Sequence, residues 1–383
     1  MAFNVLFNKS LVSLCITILA SSLAHGQLIK RTTNWVLHHS IIDTTTPGQP
    51  SFRLYPTLAY APETNLEIGL TTLYLFQARK DTGNRISELN MFSFFTLRSQ
   101  YGIWLENALY GHKDKWIILG KIRFQRFPLL YYGIGPNTPK DQPATIDGTN
   151  IVFRQRVLRK IGANLFLGPE LDYQSLSNTS VEHHPEDLER DVPIGASGSS
   201  NFGVGAAIVY DNRYNMLNVR KGTFAELGLL TYSDKLGSTY NFTGVNVDIR
   251  NYRPVNKRDV LALQVIGNFL TGTVPFNQMA LMGGETMMRG YYAGRYRDKN
   301  LIAGQAEYRV LPLSFSKRIG FALFAGTAVV SSTIPGIRFD NLQVAGGAGI
   351  RYLLFPKKDI FVRFDVGVTK EGVGFYFFTG EAF

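Results

Sequence analysis

Arg289 is the side chain whose surroundings most invite chemistry. It lies in Met282-Gly283-Gly284-Glu285-Thr286-Met287-Met288-Arg289-Gly290-Tyr291-Tyr292-Ala293-Gly294-Arg295-Tyr296-Arg297-Asp298, where four glycines break any continuous pleat and permit tight turns. A guanidinium held in a folded-back loop offers ion pairing, so the question is where its acid lies. The next segment is a strand that answers it. Leu301, Ala303, Gln305, Glu307 and Arg309 share one face, and Ile302, Gly304, Ala306, Tyr308 and Val310 share the other. A loop entering a lumen and Glu307 on the lumenal wall form a natural pair. Other candidates give less. His38-His39 and His183-His184 carry imidazoles, yet adjacent strand residues face opposite ways and neither pair has a third ligand. The acidic run Glu182, Glu186, Asp187, Glu189 and Asp191 reads as a solvated loop. Gly195-Ala196-Ser197-Gly198 falls short of a nucleophile elbow and has no strand-turn-helix context. No catalytic, metal or cofactor residue is assigned, and the chain is read as non-enzymatic.

These residues must be positioned by elements suited to a particular compartment. Lys9, the apolar run Leu11 to Leu23, and Ala24-His25-Gly26 form a secretory signal peptide over residues 1–26. That run is shorter than the roughly 20 residues a spanning helix needs, so any membrane crossing falls to strands. The only cysteine, Cys15, lies inside the leader, which excludes a disulfide framework or cysteine metal site in the mature chain. The net charge of +11 would fit nucleic acid, but a secreted chain argues against that partner.

After a short periplasmic lead, 27–50, strand-like segments fill 51–383. We read sixteen, at 51–60, 65–78, 88–98, 102–111, 116–125, 150–159, 162–173, 201–210, 222–233, 239–252, 258–268, 301–311, 318–330, 342–354, 359–368 and 373–383. Charge makes up only 18% of the chain and is spread through strands, as expected when apolar residues face lipid and polar ones fill a lumen. In one late strand Ile360, Val362, Phe364, Val366 and Val368 oppose Asp359, Phe361, Arg363, Asp365 and Gly367. A cation facing lipid at the bilayer midplane costs about 2–4 kcal/mol, so Arg363 and Asp365 belong in the lumen. Lys121, Arg123, Asp248 and Arg250 follow the same rule, and Arg154 and Arg156 join the lumenal set. Wall-to-wall pairing is the expected use of these charges, in competition with an anion-selective path. Tight turns such as 112–115, 253–257 and 355–358 alternate with long segments 126–149, 174–200 and 269–300, read as periplasmic and extracellular respectively. Phe375, Phe377 and Phe383 share the register of the last strand, which is expected to close on the first. The fold class is therefore an all-β transmembrane antiparallel barrel of about sixteen strands, with a loop folded into its lumen.

Gly283-Gly284, Arg289-Gly290-Tyr291, Gly294-Arg295-Tyr296-Arg297-Asp298 and Gly304-Gln305-Ala306-Glu307-Tyr308-Arg309 together resemble the bacterial surface antigen superfamily of outer-membrane barrels, which includes the BamA and TamA assembly proteins and the two-partner secretion transporters. Tyr210-Asp211-Asn212-Arg213, Arg220-Lys221-Gly222, Gly347-Ala348-Gly349-Ile350-Arg351-Tyr352, Val362-Arg363-Phe364-Asp365 and the terminal Phe383 extend the likeness. The resemblance implies that Arg289 pairs with Glu307 on the wall. At the position where relatives commonly place a second acid, this chain has Phe324, so one wall partner is expected. Relatives also carry periplasmic POTRA domains, for which residues 27–50 are too short. The implied function is assistance in inserting or translocating protein or lipid at the bacterial outer membrane; the alternative is a passive, porin-like solute channel. The expected partners are outer-membrane lipid, client outer-membrane proteins or lipids, and a separate periplasmic partner.

Overall fold

The structure is a computed structural model that describes residues 48–61, 65–141, 143–183, 192–213, 215, 217–356 and 359–383. The expected signal peptide, nearly all of the lead, His38-His39, His184 and the acidic positions 186–191 lie outside the described residues.

The barrel strands are β1 Ser51–Ala61, β2 Asn65–Gln77, β3 Ile86–Thr96, β4 Tyr101–Tyr110, β5 Trp116–Arg126, β6 Ala144–Gly162, β7 Leu165–Glu182 and β8 Ser199–Asp211. The second half comprises β9 Gly222–Tyr232, β10 Phe242–Pro254, β11 Asp259–Gly272, β12 Asn300–Val310, β13 Ile319–Ser331, β14 Gln343–Phe355, β15 Ile360–Thr369 and β16 Gly372–Thr379. Each pairs antiparallel with its neighbours, and β16 returns to β1, so the sheet is an antiparallel barrel. Closure satisfies the backbone groups that an open sheet would expose to lipid.

Alternation sets the two faces. In β12, Ile302 and Tyr308 are exposed on the outer surface while Leu301, Ala303, Glu307 and Arg309 are buried inward. In β15, Phe364 and Val368 face out, and Arg363 and Asp365 are buried. Two strands outrun their expected spans: β6 has 19 residues and β7 has 18. A bilayer needs only about 9–11 tilted residues per strand. The excess carries Thr145, Asp147, Thr149, Ser175, Ser177 and Ser180, a polar hairpin, and the short strand Leu129–Tyr131 pairs along its β6 edge.

The last strand also departs from expectation. Phe375 and Phe377 lie in β16, but Phe383 does not: β16 ends at Thr379, and Gly380 turns the chain with φ +88°, its N–H donating to Phe361 O at 2.7 Å. Glycine alone adopts that turn without strain. The segment 380–383 then enters the lumen, where the backbone oxygen of Phe383 accepts from Arg309 at 3.0 Å. β1 and β16 share one register pair, Tyr60↔Phe377, among the described residues, against eleven pairs between β1 and β2 and eight between β15 and β16.

Candidate functional site

The β11–β12 connection, 273–299, folds back into the barrel. Ala280–Met282 pairs with Tyr296–Asp298 as its stem, and Gly283, Gly284, Gly290 and Gly294 all have positive φ, a region that side chains strain to enter. Met282, Met287, Met288, Tyr291 and Tyr296 pack against the wall residues Leu301, Ala303, Ala328, Val330 and Ala345. At the tip, backbone meets backbone. A Cβ on Gly367 of β15 would stand 2.4 Å from Arg289 O, and one on Gly290 would stand 3.0 Å from the Gly367 carbonyl carbon. Only glycine on both sides lets the loop press this close, and the press delivers the arginine.

The Arg289 side chain is 1% exposed and grips two walls. Its Nη2 donates to Glu307 Oε2 on β12, and its Nη1 to Asp365 Oδ2 on β15 at 2.5 Å. Its guanidinium carbon sits 3.5 Å from the centre of the Phe324 ring. The single wall partner expected from Phe324 is thus corrected to two: the second acid comes from β15, and Phe324 supplies an aromatic face beneath the cation. The register explains how. Gly347 lies opposite Phe324, and Gly349 lies opposite Asp365, where a Cβ would stand 1.9 Å from Asp365 Oδ1. The two glycines on β14 clear the space that the ring and the carboxylate occupy.

Further arginines complete a cluster. Arg351 donates to Glu307 at 3.1 Å, to Asp365 at 2.5 Å and to Glu381 at 2.9 Å; Arg309 donates to Glu307 at 2.8 Å and Arg363 to Asp365 at 2.8 Å. Four cations and three carboxylates share one buried site. Stripping one partner from a buried pair costs about 3–5 kcal/mol, because the other charge is stranded. Arg351 and Glu381 carried no role in the sequence reading. The signal for Arg351 was its lumenal parity beside Gly347 and Gly349; Glu381 had none, since only the turn at Gly380 brings it inward.

The loop's outer end is held as well. Arg295 pairs with Glu371 at 2.7 Å and donates to Thr138 Oγ1 at 2.8 Å, while Arg297 donates to Leu130 O at 2.9 Å between the rings of Tyr131 and Phe276. Burial pushes the Arg297 guanidinium down to about 10. At the other mouth the β8–β9 turn lies beneath the barrel: Leu217 packs with Leu73, Leu75, Phe355 and Ile360, and Arg220 reaches Asp359 at 2.7 Å.

The rest of the lumen holds open space. Adjoining cavities of about 420, 510 and 260 Å³ run along it, the first two sharing Glu88, Asn90, Glu106 and Arg123 and the first and third sharing Lys121 and Arg154. Charges pair along this wall: Arg123 with Glu106 at 2.5 Å, Arg154 with Asp172 at 2.6 Å, Arg156 with Glu226 at 2.6 Å and Arg250 with Asp248 at 2.5 Å. Lys121 forms no ion pair among the described residues, and its ammonium faces the cavity. Ser197 is exposed in the β7–β8 loop between Gly195 and Gly198, with no base placed beside it among the described residues.

Comparison with known proteins agrees with this geometry. The family model described as the Omp85 superfamily domain matches residues 96–383. No curated protein matches the chain. Among solved structures, BamA from Haemophilus ducreyi lacking POTRA domains 1–3 superimposes with a TM-score of 0.55 at 14% identity, over 86% of this chain and 70% of that one. CdiB from Acinetobacter baumannii gives 0.55 at 11% identity, over 86% of this chain and 59% of CdiB. At these identities the likeness establishes the barrel fold alone, while the family model covers most of the chain together with its loop and lock: the chain belongs to the Omp85 superfamily of outer-membrane barrels.

Proposed function

We propose that the chain assists insertion or translocation of protein or lipid at the outer membrane, with the Arg289 loop fixing the β12–β16 wall and the β1–β16 seam as the place where the sheet parts. The observation that supports this reading is the seam, where β1 and β16 share one register pair among the described residues against eleven between β1 and β2. A strand edge released from its neighbour is a template for an incoming strand. The lock matters because it lets one edge open while its neighbours hold. Clients would be outer-membrane proteins or lipids, and a separate periplasmic protein would deliver them. Comparing the outer-membrane proteome and surface lipid of cells with the gene, without it, and complemented by Arg289→Ala or Glu307→Ala tests the proposal. Loss of a defined set of barrels or lipids, unrestored by either variant, is expected; unchanged membranes in every strain would overturn it.

The cavities favour a second reading, a passive solute channel. On that reading, removing 285–297 converts a restricted pore into one of steady, larger conductance in planar bilayers, and a silent bilayer counts against it.

A further inference from the structure

Most connections of the barrel mix cations with acids, Lys80 with Asp81 and Lys113 with Asp114 at the short-turn end among them, but two adjoining turns do not. At the end bearing the long loops, cations stand beside acids in the same connection: Asp234 with Lys235, Arg338 with Asp340, and Lys370 with Glu371. At the opposite end, the β10–β11 turn and its flank present Arg253, Lys257 and Arg258, and the β12–β13 turn presents Lys317 and Arg318, all five exposed. The turns adjoin, because Leu311 N–H donates to Arg258 O at 3.2 Å. The one acid among them, Asp259, is occupied by Asn256 at 2.6 Å and by the Tyr308 hydroxyl at 2.7 Å. None of the five cations pairs with a carboxylate among the described residues. Within the same two turns, Phe315 is 81% exposed and Val255 56% exposed.

An unneutralised cluster of this size raises a local positive potential, and it sits where a barrel meets lipid headgroups. Exposed apolar side chains interleaved with cations suit a surface that is anionic at its headgroups and hydrocarbon just beneath. We propose that the β10–β11 and β12–β13 turns bind the headgroups of anionic phospholipid in the leaflet at the short-turn end of the barrel. Phosphate oxygens are the acceptors that Arg253, Arg258 and Arg318 would fork onto, Lys257 and Lys317 add point charges, and Phe315 and Val255 give the contact an apolar footing. The inference rests on the barrel spanning a membrane and is independent of any insertion activity.

The test uses the full mature chain in phosphatidylcholine nanodiscs containing a minority of phosphatidylglycerol, with retained lipid counted by native mass spectrometry. Both leaflets then have one composition, so the answer does not depend on which end faces the periplasm. The wild-type chain should retain phosphatidylglycerol above its bulk share. The combined variant Arg253→Gln, Lys257→Gln, Arg258→Gln, Lys317→Gln and Arg318→Gln should lose at least about five-fold of that enrichment, the factor expected from even one cation at an anionic surface. The control Lys235→Gln with Lys370→Gln should leave it unchanged. If the combined variant does not fold, Lys257→Gln with Lys317→Gln must show a partial loss. Absence of enrichment in the wild type, equal enrichment in the variants, or release of a co-purifying acidic protein without change in lipid would overturn the proposal.

Discussion

Against β12–β16, Arg289 and three wall arginines meet three carboxylates in a buried cluster, with the loop's methionines and tyrosines packed around them. Along β3–β7 the same residue types pair strand to strand, but they face cavities and leave Lys121 unmatched. Burial of the cations is what separates the two regions: Arg289, Arg309 and Arg351 are at most 1% exposed, whereas Arg154 is 23% and Arg123 30% exposed. A charge pair closed off from water is costly to break, whereas one beside water is screened and contributes about 0–1 kcal/mol. The lumen therefore has a locked side and a permissive side, divided by where the loop lies.

The largest break in this contrast should come from Glu307→Ala, which takes one carboxylate from each of Arg289, Arg309 and Arg351 and leaves four buried cations on Asp365 and Glu381. A loss of about 3–5 kcal/mol is expected, read as a lower denaturant midpoint and faster hydrogen exchange in the loop. Gly367→Val follows: its side chain meets the Arg289 carbonyl, and overpacking of this kind costs about 1–3 kcal/mol, with the loop lifted from the wall. Conductance should rise in that variant. Phe324→Leu keeps an apolar side chain but removes the ring under Arg289, so about 2 kcal/mol should be lost. On the permissive side, Lys121→Gln removes a cation crowded by Arg123 and Arg154, so it should not lower stability, while it lowers the anion preference of any current through a loop-deleted barrel. A large stability loss there would erase the contrast between the two sides.

Strand parity alone placed Glu307, Asp365 and Arg363 in the lumen, because a period of two assigns faces whatever the partners. It could not show that Asp365, 76 residues from Arg289, would be its second acid. That depends on how far the loop reaches and on the space left by Gly347 and Gly349, both properties of register across three strands. Phe383 was misplaced for a local reason. Its alternation with Phe375 and Phe377 is real, but one glycine with positive φ cancels it and sends Glu381 and Phe383 to Arg351 and Arg309. The lengths of β6 and β7 were missed because polar alternation beyond the bilayer looks like loop sequence.

The most direct test of the central claim is a cross-link across the seam. Tyr60 and Phe377 lie opposite each other, so Tyr60→Cys with Phe377→Cys places two thiols within disulfide reach. If the seam is where clients pass, oxidised cells should lose the same outer-membrane proteins or lipids as cells without the gene, and reduction should restore them. Cells carrying a fully cross-linked barrel and an unaltered outer membrane would contradict the account.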